Sequence, residues 1–428
     1  MKRHNAQQPP VIITPCAGET VFPETVSLSN GVPVYLLGKG TVDLLRIEFV
    51  ADAGQRREKV HMASSTANAM LTEGTENHDA ITLNDLIDST GAVLNHSADK
   101  ETASLIMITL SRKLEEVTAL AEEVLFHPSF PETEFRMLID KRVQAFLTGR
   151  QKTSVIGREE FYRALCGNNN PYGRVSKLED YQSITTENIR EFHSLHYRPD
   201  NMYITIAGRD PEKALPVLEK YFSGNGTGMW HKPEMPELAF ETAKTGRIFA
   251  EVGNSVQSAV RMGWKGISRD HPDYQGLQVA NMILGGYFGS RLMRNIREEK
   301  GYTYGINSVV GAFHGLGYIA IMTEVANNYR EETIMEIKKE ITKLCSDEVG
   351  QDELSIVRNH FMGEIARMFD GPFNSAETIR GIIDYNTGHD YFARFAETVR
   401  TITPGKIKEL FNTYFNIDSA FEIIAGAK

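Results

Sequence analysis

Residues 184–209 read ITTENIREFHSLHYRPDNMYITIAGR, and residues 402–427 read ITPGKIKELFNTYFNIDSAFEIIAGA. Without a gap, eight of these 26 positions are identical at an offset of 218 residues. A match of this kind marks an internal repeat. Each copy carries a helical period and then an apolar run ending in Ile-Ala-Gly, so each predicts a helix leading into a strand. Both copies close stretches of similar length, which makes a duplicated domain the simplest organisation. The expected division is a first domain over 1–223, a linker over 224–245 and a second domain over 246–428. The linker composition agrees, because GNGTG at 224–228 is followed by His231, Pro233 and Pro236 with no apolar period.

Working outward from the first copy, residues 26–37 alternate around Asn30-Gly31, a hairpin signal. Strands are expected at 44–50, 92–98 and 102–110, and helices at 62–72, 83–89 behind a Thr82 cap, 114–125, 132–147 and 156–165. The second half repeats the grammar: a strand at 258–264, a helix at 274–284, a glycine break, a helix at 290–300 closed by Gly301, and a hairpin of 303–310 and 318–325. Helices are expected at 331–344, 354–368 and 377–385. The fold class is α+β, with helices packed on an antiparallel or mixed sheet in each half.

At 428 residues, 41% hydrophobic and 24% charged, the chain suffices for two cores and has no apolar run long enough to span a bilayer. The first residues lack a signal-like apolar stretch, so a cytoplasmic location is expected. Cys16, Cys166 and Cys345 are too scattered for a disulfide framework or a Cys-x-x-Cys metal site. A net charge of -10, spread along the chain, leaves no basic stripe for nucleic acid.

Two stretches resemble the insulinase/pitrilysin family of peptidases in its bacterial two-subunit branch: GQRREKVHMASSTANAMLTEGT at 54–75 and LGGYFGSRLMRNIREEKGYTYGI at 284–306. Family members carry His-x-x-Glu-His just before a Met-Leu-x-x-Gly-Thr ending. The two histidines bind Zn²⁺ and the glutamate activates its water. Here the ending stands at Met70–Thr75, and the motif positions hold Ser65, Thr66, Ala67, Asn68 and Ala69. Ser65 and Ala69 replace the imidazoles, Asn68 replaces the base, and 141–158, where the resemblance places the third ligand near Gln144, Ala145 and Phe146, contains no carboxylate. A hydroxyl, a methyl and an amide cannot form a zinc ligand field, so no metal is expected in this chain.

The resemblance also implies an arginine and a tyrosine seven residues apart in the second half, which hold the substrate carbonyl and backbone opposite a zinc site. Arg297 and Tyr304 match that spacing, and both are donors of the kind a developing oxyanion requires. Gly285, Gly286 and Gly289 would allow close backbone approach to substrate or partner. They follow a helix rather than a strand, which excludes a dinucleotide fingerprint. Plainer readings stand beside these: Arg297 as a helix-end cation, Tyr304 as a strand tyrosine, the glycines as a break between helices. His193 with His196, His360 with Glu364, and the scattered His61, His78 and His96 have ligand types without a ligand set, so structural roles are expected.

The implied function is that of a non-catalytic subunit in a heterodimeric zinc peptidase, with zinc in the partner and this chain supplying Arg297, Tyr304 and half of a clam-shell chamber. Peptide substrate would add as a strand to a sheet edge. The alternative is a catalytically dead structural or peptide-binding homodimer; a stand-alone peptidase lacks a motif to support it.

Overall fold

The computed structural model describes residues 22–224, 230, 234, 237–243 and 245–428. Cys16 and half of the expected linker fall outside the described residues. Among the described residues, eleven strands form two sheets. The first sheet contains β1 (Glu24–Ser27), β2 (Pro33–Gly38), β3 (Leu44–Ala51), β4 (Val93–Ala98), β5 (Ala103–Leu110) and β6 (Met202–Gly208), in the order β1-β2-β6-β3-β5-β4. The second contains β7 (Gly246–Glu251), β8 (Gln257–Gly266), β9 (Thr303–Phe313), β10 (Leu316–Ala326) and β11 (Phe421–Gly426), in the order β7-β11-β8-β10-β9. Apart from β1, the two orders correspond strand for strand. Each sheet is mixed, because β2–β6 and β7–β11 are parallel and the other pairs antiparallel.

The helices of the first half are α1 (Ala63–Ala69), α2 (Ala80–Thr90), α3 (Leu114–Phe126), α4 (Glu132–Gly149), α5 (Thr153–Cys166), α6 (Leu178–Ser183), α7 (Thr186–His196) and α8 (Leu215–Phe222). Those of the second are α9 (Tyr274–Asn281), α10 (Arg330–Ser346), α11 (Gln351–Met368), α12 (Gly371–Tyr385), α13 (Tyr391–Thr401) and α14 (Pro404–Tyr414). The repeat that opened the reading is α7 with β6 and α14 with β11. In both copies a threonine, Thr185 or Thr403, caps the helix by accepting from the N–H three residues on. The cap of α2 is a correction: Asp79, not Thr82, accepts from the Thr82 N–H, and the helix starts three residues before the expected position. Asp79 sits where an N-cap carboxylate also favours the helix dipole, and its pKa is lowered by that bond.

The two halves exchange a helix. Helix α5 belongs to the first half but lies on the second sheet, where Ile156 joins Ala259 and Ala425, and Phe161 and Leu165 join Leu316 and Phe421. Helix α12 does the converse, since Ala376 and Ile379 pack on Leu37 and Ala207. The offset of 218 carries 153–166 to 371–384, so the two are the same element of the repeat. This explains the Ile-Ala-Gly endings. Strands β6 and β11 are covered on both faces, hence the continuous apolar run, and a small residue is needed where the exchanged helix comes close. A Cβ on Gly157 of α5 would stand 3.0 Å from that of Ala259 and 3.8 Å from that of Ala425.

An ion-pair cluster fastens α12 to the first sheet. Glu48, fully buried in β3, receives Arg380 of α12 on one oxygen and lies 2.9 Å from Arg46 on the other. Arg380 also donates to Thr102 at 2.8 Å and sits 3.4 Å from Asp384, whose carboxyl accepts from Tyr203 at 2.6 Å. Burial raises the pKa of Asp384 and Tyr203.

Candidate functional site

Helix α1 is short and enters abruptly, with Met62 in the left-handed region at φ 69. Ser65 is exposed and Asn68 is 2% exposed. The Asn68 carbonyl lies 3.2 Å from Nδ1 of His96 in β4, and its amide donates to the Tyr197 hydroxyl at 3.1 Å. An amide oxygen only accepts, so His96 Nδ1–H is the donor in this contact, and burial lowers the His96 pKa. The position that would hold a general base is therefore an amide inside a satisfied buried network.

On the other side of α1 stands Arg142 of α4. Its guanidinium donates to the Thr66 hydroxyl at 2.7 Å and to the Ser65 carbonyl at 2.9 Å, and lies 3.5 Å from the Ser65 hydroxyl. Of the α4 side chains, it is Arg142, rather than those of Gln144, Ala145 or Phe146, whose hydrogen bonds reach α1. A fixed cation against this turn repels a divalent ion, which adds to the absence of ligands at Ser65, Asn68 and Ala69. The residues present do not fit zinc. Among the described residues no group of three His, Cys, Asp or Glu could hold a metal.

The histidines go to separate structural tasks. His61 contacts Ser176, His78 contacts Glu123, and His96 contacts Asn68. His193 bonds the Leu125 carbonyl at 2.8 Å and stacks on Tyr197, while His196 lies against Phe192. Burial holds both His193 and His196 down to about 4 from the ordinary 6.5. Between those values the folded protein binds fewer protons than the unfolded chain. Their contribution to stability is thus complete above pH 6.5 and is lost as the pH falls toward 4. Urea midpoints at pH 7.5 and pH 5.0 are expected to differ in that direction, and His193→Gln to narrow the difference. Equal narrowing by a control change at an exposed histidine such as His389 would reject this assignment.

Arg297 and Tyr304 come together. Met282–Gly286 and Met293–Glu299 wind as π-helical segments, a geometry frequent at functional sites, and Arg297 lies in the second. Gly301 closes that segment at φ 67. Strand β9 begins at Thr303, where Thr323 pairs with Ile306 and Val325 with Thr303. Tyr304 and Gly305 consequently face Glu324 alone, a β-bulge that turns the Tyr304 side chain outward. It is 93% exposed. Arg297 Nε donates to the Tyr304 carbonyl at 3.0 Å, and its guanidinium carbon lies 4.5 Å from the ring centre of Phe288, itself an exposed residue. Among the described residues the Nη groups of Arg297 form no ion pair or hydrogen bond, so its remaining donors are open.

Tyr304 lines a cavity of about 750 Å³ with Thr303, Val256, Gln257 and residues 151–154 at the α4–α5 junction. From Arg142 to Gln151 is about 13 Å along a helical axis. The altered α1 motif and the Arg297–Tyr304 pair are thus linked through α4.

The three glycines divide. Gly285 is buried, and a Cβ there would meet Ser308 Oγ at 2.7 Å and Ser308 N at 2.8 Å. Its use is close packing of the first π-helical segment on β9. Gly286 is exposed, and Gly289 underlies the Tyr287 ring. Gly285→Ala is expected to cost about 1–3 kcal/mol by overpacking against backbone, read as a lowered melting temperature. A melting temperature equal to wild type would show that β9 can yield.

Residues 183–361 match the family model described as "Peptidase M16 inactive domain". The "Uncharacterized zinc protease YmxG" of Bacillus subtilis (strain 168) is 23% identical over 405 residues, 92% of this chain and 96% of that protein. The fold is that of the peptidase M16 inactive domain from Pseudomonas fluorescens, with a TM-score of 0.86, 22% identity, and coverage of 95% of this chain and 98% of that one. The periplasmic protease PqqL from Escherichia coli superposes with a TM-score of 0.78 at 12% identity, over 99% of this chain but 48% of PqqL.

Proposed function

Because this chain belongs to the M16 (insulinase) peptidase family, we propose that it is the non-catalytic subunit of a two-subunit peptidase. A family partner bearing an intact His-x-x-Glu-His motif supplies zinc and the general base. This chain supplies Arg297, Tyr304 and one wall of the chamber. The observation that carries the reading is the pairing of an α1 helix unable to hold metal with an Arg297–Tyr304 pair left exposed. The length relation supports it, since one copy of this chain spans about half of PqqL.

The chemistry of the pair is donation. A guanidinium with open Nη groups and a solvent-facing phenol can hold a peptide carbonyl and stabilise negative charge gathering on its oxygen during hydrolysis. Neither residue generates a nucleophile, so the chain works only opposite a centre that does. Edge strands β4 and β9 both offer backbone groups to an added peptide strand. No helix among the described residues is long and apolar enough to cross a membrane. The reading keeps the expected cytoplasmic location.

The test is reconstitution. The chain is co-expressed with a zinc-bearing family member from the same genome, and peptide hydrolysis is measured with each subunit alone and with both. Activity requiring both supports the proposal. Full activity of the zinc-bearing chain alone, with no association between them, favours the homodimeric binding protein instead.

A further inference from the structure

One turn along α5 from the Tyr304 cavity lies a second hollow of about 350 Å³, lined by Lys100, Arg158, Glu159, Tyr162, Tyr172 and Arg174 among others. Ser154, Arg158 and Tyr162 are spaced by four and share one stripe of the helix, with Ser154 in the first cavity and the other two in the second. The step between Ser154 and Arg158 is about 6 Å, two residues of extended peptide.

In a chain of net charge -10, this hollow gathers three cations against one carboxylate. That carboxylate, Glu159, is already engaged by Arg150, and Arg174 at the rim pairs with Asp180 at 3.3 Å. Lys100 is held from within. Its ammonium lies 4.6, 5.4 and 5.7 Å from the ring centres of Tyr162, Tyr172 and Phe313, donates to the Tyr172 carbonyl at 2.8 Å and reaches Gln55 at 3.5 Å. Burial lowers its pKa, against the opposing pull of Cys166, Glu101 and Glu58. Those carboxylates serve other groups: Glu101 bonds Arg56, and Glu58 accepts from the N–H groups of Met62 and Ser64. Among the described residues neither Lys100 nor Arg158 forms an ion pair. A sheltered ammonium without a counter-anion is costly, and ring faces offset only part of that cost.

We propose that this hollow is an anion subsite that receives a carboxylate of the bound peptide, with Lys100 and Arg158 supplying the charge and Arg174 the rim. The inference rests on the peptide-binding reading above. The carboxylate comes from the peptide's C-terminus or from an acidic side chain, and binding distinguishes the two sources.

The experiment measures fluorescence anisotropy of short N-terminally labelled peptides of Ala, Val, Ser and Gly with the full-length chain. One pair differs only in a free or amidated C-terminus, and a second, amidated pair differs only in one internal Glu or Gln. The carboxylate form of one pair is expected to bind about tenfold tighter than its neutral form. That preference should vanish in Arg158→Gln and in Lys100→Met, while the neutral peptides bind as before. Arg158 is exposed and ion-pairs with nothing described, so its variant keeps the test valid should Lys100→Met unfold. Equal affinities within both pairs, or a preference that survives Arg158→Gln, would overturn the subsite. Failure of every peptide to bind would remove the peptide reading and the subsite with it.

Discussion

In a complex with a zinc-bearing partner, the double variant Arg297→Ala, Tyr304→Phe is expected to lose about three orders of magnitude in kcat/KM for peptide hydrolysis. One well-placed oxyanion donor is worth about 10²–10³ in rate. The two residues are physically joined, because Arg297 Nε fixes the Tyr304 carbonyl at 3.0 Å. Their separate losses should therefore sum to more than the loss of the pair. Tyr304→Phe alone removes one hydroxyl from a 93% exposed ring and leaves the fold intact, so its effect should fall on kcat rather than KM. A complex that hydrolyses peptides equally well without both groups would end the assigned role.

The second large effect concerns stability. Arg380→Ala is expected to cost about 3 kcal/mol, because it strands one oxygen of Glu48, a fully buried carboxylate, with Arg46 at 2.9 Å as its remaining partner. The melting temperature should fall by roughly 6–12 °C, taking 2–4 °C per kcal/mol for a half of this size. Replacing both partners, Glu48→Gln with Arg380→Met, should recover only part of that, because the buried Arg46 then keeps Glu377 at 4.0 Å as its sole carboxylate among the described residues. If the single variant melts like wild type, the cluster does not fasten α12.

What was legible in the sequence follows from which physical signals are local. The repeat fixed the helix–strand pairs α7–β6 and α14–β11 because caps, apolar period and small terminal residues all lie within 26 positions. The Asn30-Gly31 hairpin and the C-terminal Gly301 were readable for the same reason. The short α6 and α8 were not readable, since brief helices carry too few turns for a period to emerge, and the Asp370-Gly371-Pro372 start of α12 reads as a turn. At the site, the missing zinc ligands were plain from residue types. Arg142 was missed: a carboxylate-free stretch announces an absence, while the cation filling the place shows only when α4 lies beside α1. The bulge at Tyr304 likewise depends on registry with β10, which no single strand reveals.

The traded helices also bear on ancestry. A lone copy of the repeat would present one face of its central strand to water while carrying a helix with nothing of its own to shelter. Such a half-length polypeptide could persist only by swapping that segment with a second molecule. Joining two copies end to end would turn a reciprocal embrace between separate chains into an internal one.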